Sequence, residues 1–177
     1  VLTVSDGVIA GTREDTSGAA LEELLTGAGF DVVERRAVAD GIQNVGEAIV
    51  ELAEGFAGLV VTTGGTGFGP RDQTPEGTAV VLDREAPGLA EAMRLVSPLG
   101  RLSRGVAGTR GLALVLNTPG SSKGAVETVE TVKPIADRRM EMELVHTQTQ
   151  ALLARAGVEV DLLPDVVEVL VTAFHDL

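Results

Sequence analysis

The chain has 177 residues, 44% hydrophobic and 2% aromatic, with a formal net charge of −12. That length and apolar fraction fit one domain with a full core and exclude a wholly disordered chain. The acidic balance argues against nucleic acid or anionic membrane as partners, no apolar run reaches the length of a membrane span, and the absence of Cys excludes disulfides and thiolate sites and is compatible with a cytoplasmic location.

Val1 to Ser5 reads as a short buried strand ended by Asp6-Gly7. A polar loop runs through Ser17, with Asp15, Thr16 and Ser17 as candidate caps. Ala20, Leu21, Leu24, Leu25 and Ala28 then recur at helical spacing, and Gly27 and Gly29 mark the helix end. Asp31 to Val38 reads as a second, more polar strand. Asp40, in Ala39-Asp40-Gly41, lies just beyond it, where α/β proteins place ligand groups. Val45, Ile49, Leu52 and Ala53 form the next helical face.

Leu59 to Thr62 reads as a buried strand that runs into Thr63-Gly64-Gly65-Thr66-Gly67. Glycines at this density let backbone N–H groups approach a ligand without a Cβ in the way. Arg71 and Asp72 follow, and Thr74-Pro75-Glu76 opens a helix with Thr74 as the expected N-cap. Strand, glycine loop and helix start form a phosphate-binding layout, though neither the Walker pattern nor the dinucleotide fingerprint. Leu89, Ala92, Met93 and Val96 give a further helix before Pro98. Arg101 to Gly111 reads as a basic, glycine-rich loop or edge strand, and Leu112 to Leu116 as a buried strand. The segment 117–124, NTPGSSKG, is the second loop at a strand end, and Val126, Val129 and Val132 face a helix that Pro134 should end or kink. Alternating strands and helices predict an α/β fold, a three-layer α/β/α sandwich around a largely parallel sheet.

The composite TTGGTG, PRD and TPE resembles the molybdopterin-binding domain of molybdenum cofactor biosynthesis, and more narrowly its adenylyltransferases. The resemblance covers Val1 to about Asp137. It implies Mg²⁺-dependent transfer of AMP from ATP to the phosphate of molybdopterin, hence a nucleotidyltransferase. By the same resemblance Asp40 and Asp72 are the important carboxylates, holding Mg²⁺ against phosphate oxygens. Gly64, Gly65, Thr66 and Gly67 would offer N–H groups and a hydroxyl. Asn117, Pro119, Gly120 and Ser121 match the second ligand loop, with Ser122 where a Pro is usual. Asp6, with Ser5, matches a first loop, and Ser103 and Arg104 another. Arg71 and Arg104 would face phosphate. The family also implies a homotrimer with small-molecule substrates and no nucleic-acid or membrane partner.

Two readings of another class stay open: a pterin- or nucleotide-binding module without turnover, and a related domain of molybdate insertion or nicotinamide-nucleotide recycling. A scaffold or oligomerisation domain is a third. From residue 138 to 177 the residues suggest a helix-rich extension packed on the 1–137 domain. There His146, His175, Met140 and Met142 read as packing or surface residues rather than ligands. The chain opens at Val1 inside an apolar run, so a preceding targeting segment stays open.

Overall fold

In the computed structural model residues 1–134 are described. The expected helix-rich extension and its His and Met positions beyond 137 lie outside the described residues. The elements are β1 (Leu2–Val4), α1 (Asp6–Ile9), α2 (Thr16–Gly27), β2 (Arg36–Val38), α3 (Ile42–Ala53), β3 (Leu59–Thr63), α4 (Thr74–Ala79), β4 (Arg84–Glu85), α5 (Pro87–Leu95), a 3₁₀ turn (Pro98–Leu102), β5 (Ala107–Arg110) and β6 (Ala113–Thr118). A helix α6 follows from residue 122 to the last described residue, 134.

Among the described residues the sheet has strand order β2-β1-β3-β6-β5-β4. The pairs β1–β2, β1–β3 and β3–β6 are parallel, and β5 and β4 add an antiparallel edge. Successive residues of β3 point to opposite faces, so one strand feeds two cores. Val60 joins Val45, Ala48 and Ile49 of α3 beneath one face. Val61 joins Leu21 and Leu25 of α2 and Ala125 and Val129 of α6 on the other. Helices thus cover both faces, as the alternating sequence predicts.

The structure corrects four local expectations. Strand β2 occupies only residues 36–38, because its partner β1 is itself three residues long. Asp6-Gly7 does not simply end a strand: it starts α1, whose N-cap Ser5 accepts the Val8 N–H at 3.3 Å. Thr74 is not the N-cap of α4 but its first residue; Gln73 holds the cap position and gives no side-chain cap bond. Strand β6 runs on to Thr118, so Asn117 and Thr118 belong to the sheet and pair with Thr62 and Thr63.

The chain leaves β1 toward β2 on one side and returns to β3 on the other. The sheet order therefore reverses between β1 and β3, and in open α/β sheets ligands lie outside the carboxyl ends of the strands at such a switch point.

Candidate functional site

A cleft of about 420 Å³ opens at this point. Its walls come from the ends of β1 and β3, the loop after β2, the loop after β6 and the 3₁₀ turn. It brings Asp40, Gly64, Gly65, Thr66, Gly67, Asp72, Ser103, Pro119 and Gly120 together. Asp6, Arg71, Arg104, Asn117 and Ser121 are not on its walls.

The two glycine loops meet directly. Gly64 N–H donates to the Thr118 carbonyl at 3.2 Å, and Thr63 Oγ1 to the Pro119 carbonyl at 2.8 Å. A Cβ on Gly120 would stand 3.2 Å from the Gly64 Cα. Gly64 and Gly65 have φ of 100° and 62°, the left-handed range that favours glycine.

The residues off the walls support the cleft from outside. Asn117 is 1% exposed. Its Nδ2 donates to Thr62 Oγ1 at 3.0 Å and Thr78 Oγ1 at 2.9 Å, and its Oδ1 accepts the Val106 N–H at 3.2 Å. It therefore ties β3, α4 and the start of β5 together beneath the floor. Ser121 Oγ accepts the Gly124 N–H at 3.2 Å, bracing the entry to α6. On the wall itself, Ser103 Oγ accepts the Gly105 N–H at 3.2 Å.

Both expected phosphate-facing arginines are engaged with protein acceptors. Arg71 Nε and Nη2 donate to the two carboxylate oxygens of Asp6 at 3.0 and 3.1 Å, and Nη2 also to the Asp40 carbonyl. Asp6 and Asp40 exchange further bonds: the Asp6 N–H donates to Asp40 Oδ2 at 2.8 Å and the Asp40 N–H to Asp6 Oδ1 at 3.0 Å. The Arg71 guanidinium beside Asp6 holds that carboxyl below its ordinary value of 3.8, against a weaker opposing pull of desolvation. A depressed value means that the bridge is fully formed above 3.8 and is lost as pH falls through the lowered one. We expect an NMR titration of the Asp6 carboxyl carbon to give a midpoint below 3.8, and Arg71→Met to bring it back up. An unchanged midpoint in that variant would show that the bridge does not form in solution.

Arg104 grips the first glycine loop. Its Nε donates to the Gly67 carbonyl at 2.6 Å, its Nη2 to the Asp72 carbonyl and its Nη1 to Glu76. It also lies over the Phe68 ring, 5.7 Å from the centroid. Desolvation pushes Glu76 upward, yet the Arg104 bond and its own backbone hold it below its ordinary 4.5. Arg104→Met leaves three acceptors without this donor and is expected to cost roughly 1–3 kcal/mol in urea unfolding. In the wild type, stability from Glu76 is present above 4.5 and fades as pH falls through the depressed value. That loss is small, since the Glu76 side chain is 43% exposed, and should disappear in Arg104→Met.

Asp6 pairs with Arg71 and Glu76 with Arg104, whereas the wall carboxylates Asp40 and Asp72 form no ion pair among the described residues, although Arg71 lies close enough to Asp40 to feel its charge. Each has one oxygen fixed by a backbone N–H: Asp40 Oδ2 by Asp6, and Asp72 Oδ2 by Gly69 at 2.7 Å. The other oxygen of each accepts no hydrogen bond from the described residues. No cluster of three or more His, Cys, Asp or Glu with metal-site geometry occurs among the described residues. The donor set therefore does not form a closed cage, but it fits Mg²⁺, which takes one or two carboxylates and completes its shell with water and substrate phosphate oxygens.

Sequence reasoning passed over several wall residues. Thr3 donates to Asp15 Oδ1 at 2.9 Å, while Asp15 also accepts the Gly18 N–H as the cap of α2. Leu99 and Leu102 also line the cleft although 76% and 59% exposed. The available signals were a polar residue inside the apolar β1 run and two leucines in a loop that needs no core residues.

The chain's relatives carry related names. The family model described as a probable molybdopterin binding domain matches residues 1–138. Molybdopterin adenylyltransferase of Escherichia coli K12 is 41% identical over 141 residues, 75% of this chain and 72% of that protein. The enzyme of the same name from Haemophilus influenzae is 35% identical over 175 residues, 95% of this chain and 89% of its own, so that likeness reaches past Asp137. Among solved structures, the molybdopterin biosynthesis enzyme MoaB of Thermus thermophilus superposes with a TM-score of 0.75 at 47% identity, covering 80% of this chain and 92% of that one. A molybdopterin biosynthesis protein from Mycobacterium abscessus gives 0.76 at 37% identity, covering 83% and 96%.

Proposed function

We propose that this chain, which belongs to the molybdopterin-binding domain family of molybdenum cofactor biosynthesis, is a nucleotidyltransferase that moves AMP from ATP onto the phosphate of molybdopterin. The observation that carries the reading is that Asp40 and Asp72 line the same cleft as the Gly64–Gly67 loop, each carboxylate with one oxygen held by a backbone N–H and the other without a hydrogen bond from the described residues. In the reaction a molybdopterin phosphate oxygen attacks the α-phosphorus of ATP. A new P–O bond forms, the bond to the β-phosphate oxygen breaks, and pyrophosphate leaves. The attacking oxygen is already anionic, so no side chain is needed as a base.

The chain's task is to gather two anions and stabilise the charge at the reacting phosphorus. Gly64 to Gly67 offer a surface without side-chain bulk, except for the hydroxyl of Thr66, against which phosphate oxygens can lie. Asp40 and Asp72 would hold Mg²⁺. When bound, the ion neutralises phosphate charge and polarises the reacting phosphoryl group. The exposed Leu99 and Leu102 give the cleft an apolar surface suited to the flat face of a pterin. The test is incubation of the purified protein with molybdopterin and α-labelled ATP. Transfer of label with release of pyrophosphate, abolished by EDTA, supports the reading. Binding of ATP and pterin without transfer favours a binding module instead.

A homotrimer and a cytoplasmic location accompany this proposal by family likeness. We further assign residues 1–137 to the catalytic domain and 138–177 to packing or an oligomer contact. A chain cut before Arg138 should keep ATP affinity in a folded protein; a folded, assembled truncation that no longer binds nucleotide would overturn this division.

A further inference from the structure

We propose that the hydroxyl of Thr74 is a positioning donor for Asp40; this rests on the role given to Asp40 above. Thr74 is 0% exposed, yet its Oγ1 has no hydrogen-bond partner. The neighbouring buried threonines differ. Thr62 Oγ1 accepts from Asn117, and the hydroxyls of Thr63, Thr78 and Thr118 donate to the carbonyls of Pro119, Thr74 and Thr62. A buried hydroxyl without a partner is costly, and a Val in its place would pack equally well without that cost.

The position of this oxygen indicates its use. A Cβ built on Gly65 would lie 2.3 Å from Thr74 Oγ1 and 3.1 Å from Asp40 Oδ1. The Thr74 N–H also donates to the Gly65 carbonyl at 3.1 Å, locking the start of α4 to the loop. An unused donor and an unused acceptor thus face the same point beside Gly65. Asp40 Oδ2 is already pinned by the Asp6 N–H at 2.8 Å, and in the proposed arrangement the carboxyl group turns about that anchor until Oδ1 accepts the hydroxyl. A carboxylate oxygen has two lone-pair directions. When Thr74 occupies one, the other is aimed into the cleft, and Asp40 presents a single orientation to a cation bridging it and a phosphate.

Thr74→Val removes the hydroxyl and keeps the shape; Thr74→Ser keeps the hydroxyl and loses the methyl group. The readouts are melting temperature, binding of ATP with Mn²⁺ as a spin-active stand-in for Mg²⁺, and the ATP dependence of AMP transfer. Thr74→Val should melt no lower than wild type, while its Mn²⁺-dependent ATP binding and kcat each fall about tenfold. Thr74→Ser should melt lower and retain both binding and turnover. Wild-type Mn²⁺–ATP binding in Thr74→Val overturns the proposal, as does equal impairment of Val and Ser, which would mark a packing role. Should the Val variant not fold, Thr74→Ala against Thr74→Ser makes the same comparison, since both lack the methyl and differ in the hydroxyl. If the wild type binds Mn²⁺–ATP but transfers no AMP, and the Val variant still loses binding, the proposed reaction fails and the role of Thr74 stands. If the wild type shows no Mn²⁺-dependent ATP binding, both fail.

Discussion

Asp72→Asn is expected to slow single-turnover AMP transfer about a hundredfold or more, equivalent to roughly 3 kcal/mol of lost transition-state stabilisation. The substitution keeps the shape of the side chain. The Asn oxygen can still accept the Gly69 N–H that Asp72 Oδ2 accepts at 2.7 Å, so the turn between Gly67 and Asp72 is retained. What is lost is the negative charge on the free oxygen, and with it one of the two carboxylates proposed above to hold a cation against phosphate. Binding of the pterin should not fall. Metal-free ATP should bind slightly better, because a carboxylate on the cleft wall repels a triphosphate. Folding should change little, since the residue contributes nothing to either core. The measurement is the single-turnover rate together with ATP affinity, each across a Mg²⁺ titration. A folded variant with the wild-type rate and the same Mg²⁺ dependence would remove Asp72 from the chemistry.

Gly64→Ala should have the largest effect on stability. Its Cβ would stand 2.3 Å from the Val4 carbonyl oxygen, and its φ of 100° is strained for any L residue. The obstructing atom is backbone of β1, and Gly120 of the second loop approaches Gly64 as well, so no flexible side chain can give way. We expect a loss of about 4 kcal/mol or more in urea unfolding, or failure to fold. Gly11→Ala separates the two causes. Gly11 also has a positive φ, of 69°, but nothing lies within 4 Å of its Cβ position. Backbone strain by itself should cost about 1–2 kcal/mol there. If the two variants lose similar stability, the close approach of β1 to the glycine loop is not what selects Gly64.

These two residues also mark the boundary between what could be read from the chain and what could not. Residue pattern by itself was enough for α3, because Val45, Ile49, Leu52 and Ala53 recur on one helical face whatever packs against it. It was enough for the Leu59–Thr62 strand and its glycine loop, because a run of apolar and β-branched residues followed by clustered glycine has few other solutions. It also carried the α/β layering, since strands alternating with helices can bury both faces of a sheet in few ways.

Strand limits depended on partners. The polar Asp31–Val38 segment can form a ladder only as long as three-residue β1 allows, while β6 extends through Thr118 because β3 offers Thr62 and Thr63 opposite it. A local Asn-Thr-Pro-Gly signal reads as a turn and contains nothing about that neighbour.

The charged side chains depended on partners even more. Arg71 finds Asp6 65 positions away, and Arg104 reaches Gly67 37 positions away. Which acceptor a guanidinium meets is set by chain segments that folding brings together, so its local sequence can state its charge but not its bond. The same holds for Thr74. Its sequence context gives a helix start, and only the packed structure shows a hydroxyl left without a partner beside the Gly65 position that Asp40 also faces.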